Sequence, residues 1–236
     1  MIDIDKKNDS YKTLGVIGGM GPMASCHFYK RLIEKNNVQC DADHIDCIIT
    51  NLASTPDRTA FILDNNNDDP YPLLYKAAKN LKSCGADIMI IICNTSHYFI
   101  QKLQEEINVP FINLIDSTML TLQKINVKRV GIMATTGTIK TKLYENKCND
   151  YNLIPIIPNQ EIQNKVMLLI YDYAKKGKVI EGNLLSEIEE YFNSVGCEKV
   201  ILGCTELSLI QQFKTSDYFV DPIEIVSDLC LNIFNK

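Results

Sequence analysis

The chain has no tryptophan, only three histidines and no CxxC pair. Cysteines paired at a two-residue spacing are the usual signature of a structural zinc site. The histidines, His27, His44 and His97, lie too far apart in the sequence to suggest a shared metal. The composition therefore gives no support for a metal centre.

Long apolar runs and clusters of basic residues are also missing. The longest purely apolar run ends at Ile92 and is too short to span a bilayer. Residues 1–12, MIDIDKKNDSYK, have no apolar core or arginine-rich pattern, so we expect a solvated tail and no targeting peptide. Because lysine and arginine are scattered and the net charge is −5, we expect no nucleic-acid and no membrane partner.

Cysteine is frequent, with nine residues, but the number is odd and no secretory signal precedes them. This pattern indicates reduced thiols and a cytoplasmic location. Seven of the nine are interpreted as packing residues, since a free cysteine behaves as a small buried hydrophobe; they are Cys26, Cys40, Cys47, Cys84, Cys148, Cys197 and Cys230. The other two, Cys93 and Cys204, follow apolar runs and call for another explanation.

Short runs rich in valine and isoleucine alternate with longer amphipathic stretches, which is typical of βα units that form a parallel sheet. With 46% hydrophobic and 22% charged residues, the chain can form a substantial core. The pattern predicts strands at residues 14–17, 45–50, 87–93, 111–114, 130–133, 154–157, 200–202 and 218–220. It predicts helices at residues 22–35, 71–82, 96–107, 161–176, 182–194 and 222–234.

The two halves of the chain resemble each other: GVIGGMGP, which begins at Gly15, matches GIMATTGT, which begins at Gly131. The predicted fold is therefore α/β, with two similar lobes related by pseudo-twofold symmetry. Each lobe is a short parallel sheet flanked by helices, and the active site lies between the lobes. We expect residues 1–110 and 212–236 to form the first lobe and residues 111–211 the second.

Cys93 and Cys204 each follow a predicted strand, at equivalent positions in the two halves. Ligands of open α/β sheets bind beyond the carboxyl ends of the strands, so the two thiols are expected to face each other across one cleft. A thiolate on one side of a carbon atom can remove a proton, and a thiol on the other side can return one, as a racemisation requires. Because like charges at close range oppose each other, the working state has one thiolate and one thiol.

Each of these cysteines precedes residue types that cap a helix N-terminus, which lowers a thiol pKa. Lowering a thiol pKa from about 8.5 to about 7 requires roughly 2 kcal/mol. A helix terminus typically contributes only about 0.3–1 kcal/mol. We therefore expect a cationic group of the substrate to supply the rest. A single cysteine at a strand end is more often part of the core, but an equivalent pair favours catalysis.

Six short motifs resemble, in order, those of the aspartate/glutamate racemase family, the amino-acid racemases that use no pyridoxal phosphate. They are GVIGGMGPMAS (15–25), TPDRTAFIL (55–63), CNTSH (93–97), ATTGT (134–138), IYDYAKKG (170–177) and GCTEL (203–207). The resemblance runs from about residue 13 to the C-terminus. It implies racemisation of an acidic amino acid, aspartate first and glutamate second, with no cofactor and in a homodimer.

The resemblance also implies roles for individual residues. Cys93 and Cys204 would transfer the proton, and Arg58 and Lys175 would bind the distal carboxylate, a task that suits the two donors of a guanidinium. The residues around the α-carboxylate and ammonium would be Asn94, Thr95, Thr136, Thr138 and Thr205, with the backbone near Met20 and Gly21. Glu206 and Ser54 are further substrate-binding candidates.

Arg58 and Lys175 have a simpler interpretation as well, and so does His97 of the CNTSH motif. Arg58, on a predicted loop, could form a surface salt bridge with Asp57. Lys175 could be a solvated lysine in the last turn of a helix, where its charge is favourable. His97 is interpreted as a hydrogen-bonded helix residue without a catalytic role.

Three other functions remain open. Residues 19–24, GMGPMA, fit the G-x-G-x-x-A pattern of dinucleotide-binding enzymes, but the following strand ends in Ile49-Thr50-Asn51 where an acidic residue would hold the ribose. A non-catalytic amino-acid-binding protein is a second alternative. A third is a related two-cysteine activity, maleate cis-trans isomerase or hydantoin racemase.

Overall fold

A computed structural model describes residues 11–234 of the chain. Most of the expected N-terminal tail, residues 1–12, therefore lies outside the described residues. Within 11–234, no helix is both long and apolar enough to cross a membrane.

Eight strands form two parallel sheets of four strands each. The first sheet has the order β2-β1-β3-β4 and contains β1 (Thr13–Gly18), β2 (Asp46–Asn51), β3 (Ile88–Ile91) and β4 (Phe111–Ile112). The second has the order β6-β5-β7-β8 and contains β5 (Arg129–Ala134), β6 (Ile154–Ile156), β7 (Lys199–Gly203) and β8 (Phe219–Val220). The matching strand orders confirm the predicted fold of two similar α/β lobes.

Ten α-helices accompany the strands. They are α1 (Pro22–Lys35), α2 (Arg58–Leu63), α3 (Tyr71–Ser83), α4 (Ile100–Ile107), α5 (Leu114–Lys124), α6 (Thr136–Lys140), α7 (Leu143–Asp150), α8 (Gln160–Leu168), α9 (Leu184–Ser194) and α10 (Pro222–Ile233). A π-helical turn, Leu169–Ala174, continues α8, and short 3-10 segments lie at Asp41–Asp43, Thr95–Phe99, Leu207–Leu209 and Gln211–Lys214.

The helices α2, α5, α6 and α7 were not predicted, and β4 is shorter than the predicted strand at 111–114. The cause at β4 is Asn113, whose side-chain oxygen accepts hydrogen bonds from the backbone of Ile115 and Asp116 and so caps α5. The strand therefore ends at Ile112, and Leu114 is already helical.

Helices cover both faces of the first sheet at its centre, so the two central strands, β1 and β3, are almost entirely buried. Along β3 the side chains alternate between two cores. Ile88 and Ile90 pack in the core that contains α1 and α10, whereas Met89 and Ile91 pack in the core that contains α3 and α4. The second sheet shows the same alternation along β7, with Val200 and Ile201 in different clusters.

Sheet membership differs from the predicted lobe division at two strands. β4 pairs with β3 in the first sheet, although residues 111–211 were expected in the second lobe. β8 pairs with β7 in the second sheet, although residues 212–236 were expected in the first. After β8, helix α10 returns to pack on α1. The chain thus changes sheets one strand later than expected at each boundary, because each lobe completes its fourth strand first.

Gly15 and Gly131 occupy matching places in β1 and β5. Because neither has a side chain, neighbouring side chains can pack closely against the strand at each position. A Cβ atom at Gly131 would lie 2.5 Å from Cδ1 of the buried Phe192 ring and 3.1 Å from Cγ2 of Val200. A Cβ atom at Gly15 would lie 2.8 Å from the Cβ of Ala86. The similarity between the sequence segments that begin at Gly15 and Gly131 thus reflects a shared packing requirement.

We expect Gly131→Ala to lower the free energy of unfolding by about 1–3 kcal/mol, because the added methyl group overpacks a filled core. Urea denaturation monitored by circular dichroism measures this change. As a control, Val179→Ile also adds one methyl group but at a position that is 83% exposed, and it should change the stability by less than about 0.5 kcal/mol. Equal stability of the two variants would show that Phe192 moves aside freely.

Candidate active site

Cys93 and Cys204 line the same cavity. Cys93 lies two residues beyond β3, and Cys204 directly follows β7. Each side chain continues the alternation of its strand, so the sulfur atoms remain buried, with 5% and 6% of the residues exposed. The two sheets therefore bring one thiol from each lobe to a common space at the carboxyl ends of their strands.

Neither thiol lies at the N-terminus of an α-helix, contrary to the expectation from sequence. Cys93 precedes the 3-10 segment Thr95–Phe99, and Cys204 precedes Leu207–Leu209. Asn94 makes no side-chain capping hydrogen bond. The segment after Cys204 has only three residues and aligns few peptide dipoles, so its dipole does little to lower the pKa of Cys204. Charged side chains must set the electrostatics of the cavity.

Arg58 is the first residue of α2 and not a loop residue, because Asp57 caps this helix by accepting a hydrogen bond from the backbone of Ala60. Its guanidinium is buried and donates to the carbonyl oxygens of Met20, Thr55 and Pro56 at 3.0–3.3 Å. Burial lowers the pKa of Arg58, but the charges of Cys93, Asp57 and Glu206 outweigh burial and raise it. Arg58 is thus a buried cation, not half of a surface salt bridge.

Lys175 follows the π-helical turn and enters the cavity wall from the second lobe. Its ammonium lies 3.9 Å from Asp57 Oδ2 and 4.0 Å from the centre of the Tyr171 ring. Burial opposes the charge of Lys175, but Cys204 and Glu206 overcome this effect and raise its pKa. The side chain is therefore part of the cavity's charge network, not a solvated helix-end lysine.

Glu206 is a buried carboxylate that contacts both lobes. Its Oε1 accepts the backbone N–H of Gly21 at 2.8 Å, and its Oε2 accepts the Cys204 thiol at 2.9 Å and the Thr205 hydroxyl at 3.3 Å. Burial raises the pKa of Cys204 well above its usual range, and the neighbouring charge of Glu206 adds to this shift, while Lys175 opposes it. Cys204 is therefore a protonated thiol at neutral pH.

Beside Cys93, part of the cavity wall consists of uncharged polar side chains. Asn94 accepts a hydrogen bond from the Tyr144 hydroxyl at 2.6 Å. The Thr95 hydroxyl lies 3.1 Å from that of Thr135 and 2.9 Å from that of Thr138, and Thr59 donates to Thr135 at 3.1 Å. These threonines come from both lobes, so the hydroxyl cluster joins them beside the cavity.

His97 has the structural role that the sequence predicted. Its Nε2 accepts the backbone N–H of Leu114 at 3.0 Å, so Nδ1 carries the proton and donates to the carbonyl oxygen of Cys93 at 2.9 Å. Burial lowers the pKa of His97 to about 4. The neutral imidazole therefore links the main chain at Cys93 to the main chain at the start of α5.

Most of the predicted site residues line the cavity. These are Met20, Arg58, Cys93, Asn94, Thr95, Lys175, Cys204, Thr205 and Glu206. Gly21 lines an adjoining wider opening of about 900 Å³, and Thr138 lies behind the wall in the hydroxyl cluster. Ser54 and Thr136 do not line the cavity: Ser54 is exposed, and the Thr136 backbone contacts the sulfur of Met167.

Four cavity-lining residues were not predicted as site residues: Asp57, Thr59, Thr135 and Tyr171. Thr135, not Thr136, reaches the cavity because it caps α6, where its hydroxyl accepts the N–H of Thr138. The T-x-x-T spacing at 135–138 was a signal for this cap. Tyr171 donates to Asp57 at 3.0 Å across the two lobes, a contact that no local pattern indicates.

The remaining cysteines only partly match their predicted role. All nine are free thiols. Cys148, Cys197 and Cys230 are buried, as expected for packing residues, and Cys47 is half-buried. The prediction was wrong for Cys26, Cys40 and Cys84, which are exposed on a helix, a turn and a helix end.

One group of residues away from the cavity has a spacing that a metal ion could bridge, namely His27, Asp221 and Glu224. Glu224 already pairs with Arg31 at 2.6 Å and with Lys35 at 3.1 Å. Two cations thus already pair with the carboxylate of Glu224. We therefore interpret the three residues as part of an ion-pair network.

Two parallel α/β lobes that enclose a cavity lined by thiols and charged side chains define a two-lobed α/β enzyme with its site between the sheets. Comparison with known proteins agrees with this class. Residues 17–230 match the family model of the Asp/Glu/hydantoin racemases.

Solved structures and sequences show the same relationship. The structure is similar to Picrophilus torridus aspartate racemase, with a TM-score of 0.80 and 28% identity over 95% of each chain. It is also similar to an aspartate racemase homologue from Pyrococcus horikoshii, with a TM-score of 0.76 and 28% identity over 95% of this chain and 100% of the other. The broad specificity amino-acid racemase RacX of Bacillus subtilis is 23% identical over 92% of this chain and 94% of its own length. The chain belongs to the Asp/Glu/hydantoin racemase family and is an isomerase of the amino-acid racemase type.

The buried His97 predicts that stability falls in mild acid. An unfolded histidine has a pKa of about 6.5, whereas that of folded His97 is about 4, so the unfolded state binds the proton first. Its contribution is fully present above pH 6.5 and is lost as the pH falls, by about 3 kcal/mol at pH 4. Urea denaturation at several pH values from 7 to 4.5 gives the free energy of unfolding as a function of pH. This free energy should fall less steeply with decreasing pH for His97→Gln than for the unmodified protein. Equal slopes would contradict the assignment.

Proposed function

We propose that the protein racemises an acidic amino acid without a cofactor, by proton transfer at the α-carbon between Cys93 and Cys204. Aspartate is the first candidate substrate and glutamate the second. The observation that carries the proposal is that two buried thiols, one from each lobe, line one cavity. The nine free thiols support a reducing, cytoplasmic location.

The cavity wall contains donors that suit a dicarboxylate. Arg58 Nε and Asn94 Nδ2 are buried and have no hydrogen-bond partner within residues 11–234. An unsatisfied buried donor costs about 1–3 kcal/mol, so a bound carboxylate that accepts from these groups recovers that cost. Lys175 adds a second cation to the same wall. Two cations match the two carboxylates of the proposed substrate.

The cavity also has acceptors for the substrate's ammonium group, since the carboxylates of Asp57 and Glu206 both line it. These two charges balance Arg58 and Lys175 before substrate enters. An α-amino dicarboxylate carries the complementary set of charges, two negative and one positive. This match favours an amino acid over a neutral hydantoin ring, and it favours an amino acid over maleate, which has no ammonium group.

The two thiols have different charged neighbours. The Cys204 thiol donates a hydrogen bond to Glu206 and stays protonated. Cys93 interacts with the guanidinium of Arg58, which stabilises a negative sulfur. In the proposed direction, the Cys93 thiolate removes the α-proton and the Cys204 thiol supplies a proton to the opposite face. Lys175 and the substrate's ammonium then stabilise the Cys204 thiolate, and the opposite enantiomer reacts by the reverse steps.

A dinucleotide enzyme is the weaker alternative. In such enzymes the backbone N–H groups of the glycine-rich turn bind a pyrophosphate. Here the N–H of Gly21 already donates to Glu206. Occupation of this donor by a carboxylate of the other lobe argues against a phosphate at that position.

Substrate choice between aspartate and glutamate rests on one methylene, which is worth about 1–3 kcal/mol even in a selective pocket.

We expect Cys93→Ala and Cys204→Ala each to reduce racemisation by at least about 10²-fold, because each removes one of the two acid–base groups. Chiral chromatography of products from L- and D-aspartate, together with α-deuterium incorporation from deuterated water, measures the loss. Cys197→Ala is the matched control, since Cys197 is also buried in the second lobe but does not line the cavity. Racemisation at the unmodified rate by either cavity variant would contradict the mechanism, and a protein that binds aspartate without exchange would be a binding protein only.

We expect Arg58→Lys to lower kcat/KM for aspartate about tenfold or more, because a single ammonium replaces a fork of charge-assisted donors. Steady-state kinetics with aspartate and alanine tests this expectation. The ratio of aspartate to alanine turnover should fall, since only aspartate has a second carboxylate. The control is Arg31→Lys, which alters a surface ion pair with Glu224 remote from the cavity. An unchanged ratio in Arg58→Lys would remove Arg58 from carboxylate binding.

A further inference from the structure

Tyr144 lies on α7, fully buried and outside the cavity wall, with one contact that reaches the proposed site. Its hydroxyl donates to Asn94 Oδ1 at 2.6 Å. Asn94 follows Cys93 directly and lines the cavity, and its Nδ2 has no partner among the described residues. We propose that Tyr144 is a positioning residue that fixes the Asn94 amide so that its N–H group, and not its oxygen, faces the substrate.

The physical reason is that a side-chain amide can adopt two orientations related by a flip, with oxygen and nitrogen exchanged. Tyr144 distinguishes them because its hydroxyl has a single hydrogen that requires an acceptor. Burial raises the pKa of Tyr144 well above its usual range, and Cys148, Asp221 and Cys204 add to this effect, so the hydroxyl stays protonated. In the flipped amide, the buried hydroxyl hydrogen would lose its acceptor.

The flip would also change what the substrate meets. The Asn94 oxygen would face the cavity and repel an incoming carboxylate, whereas the Nδ2 group donates to one. The hydrogen bond to Tyr144 therefore converts an ambiguous amide into a defined donor next to Cys93. This inference rests on the proposed function only in that the cavity binds a carboxylate.

The ring of Tyr144 is itself held firmly. It packs among buried residues of the second lobe, including Met119, Ile132 and Cys148. Its Cε2 would lie 3.4 Å from a Cβ atom at Gly203, the residue before Cys204. Tyr144 thus extends from the strand end that carries Cys204 to the residue that follows Cys93. A side chain of the second lobe orients a donor of the first.

The test uses Tyr144→Phe, which keeps the ring and removes only the hydroxyl, and succinate as a dicarboxylate that the enzyme cannot racemise. We expect Tyr144→Phe to bind succinate about tenfold more weakly in isothermal titration calorimetry, the effect of about 1.4 kcal/mol of lost donor orientation. Tyr218→Phe is the matched control, because its hydroxyl is also buried, has no partner within residues 11–234 and lies away from the cavity. It should bind succinate like the unmodified protein.

A double-mutant cycle with Asn94→Ala separates positioning from a general effect on stability. If Tyr144 acts through the Asn94 amide, Tyr144→Phe weakens binding in the unmodified background but has no further effect once Asn94 is alanine. Losses that multiply in the double variant, or unchanged binding by Tyr144→Phe, would overturn the inference. Thermal unfolding of each variant confirms that the folded protein is being titrated.

The same samples separate this inference from the proposed function. Coupled succinate binding without any racemisation of aspartate by the unmodified protein would overturn the function and leave the positioning role intact. Racemisation with independent effects of Tyr144 and Asn94 would do the reverse. If the unmodified protein does not bind succinate, the positioning inference fails, and the racemisation assay alone decides the proposed function.

Discussion

The carboxylate of Glu206 is the group on which the arrangement of the cavity depends. Only 3% of Glu206 is exposed, and a carboxyl group buried to this extent is strongly destabilising unless hydrogen-bond donors surround it. Its donors come from both lobes: Gly21 follows β1, whereas Cys204 and Thr205 follow β7. Arg58 and Lys175 supply the positive charge, as the rise in their pKa values shows. One carboxylate thus links the two lobes, since Oε1 accepts from Gly21 of the first lobe and Oε2 accepts from the Cys204 thiol of the second.

The fold was accessible from the sequence because its main elements have strong local signals. The bounds of α1 follow from Pro22 at its start and an apolar face along its length, and every predicted strand was found. Three of the four missed helices, α2, α6 and α7, have five to eight residues and are too short to show a clear period. The fourth, α5, has eleven residues and begins after the Asn113 cap, inside the predicted strand 111–114. Their existence depends on caps such as Asp57 and on packing across the lobes, which a single-sequence pattern does not contain.

The same reasoning explains which site residues could be found. Cys93, Cys204 and Arg58 follow strands, so the rule for parallel sheets places them together. Tyr171 lies in the π-helical turn after α8, where the chain departs from the 3.6-residue period. The residues after that turn no longer follow the phase of the helix, and their direction could not be read from α8. Tyr171 and Lys175 reach the cavity because of this change of phase, and they meet Asp57 there. Only the family resemblance indicated Lys175.

Symmetry and asymmetry have separate roles in the proposed chemistry. The two sheets share one strand order, and each presents a cysteine after its third strand in sequence order. In the proposed mechanism, these two cysteines are the acid–base groups on opposite sides of the substrate. Interconversion of mirror images requires this much. The residue two positions beyond each cysteine breaks the symmetry, since Thr95 is neutral and Glu206 is acidic. The carboxylate-binding candidates are also unequal: Arg58 is buried, and Lys175 is partly exposed. In the proposed mechanism, these differences give the substrate one orientation for both enantiomers, so that only its α-hydrogen changes sides.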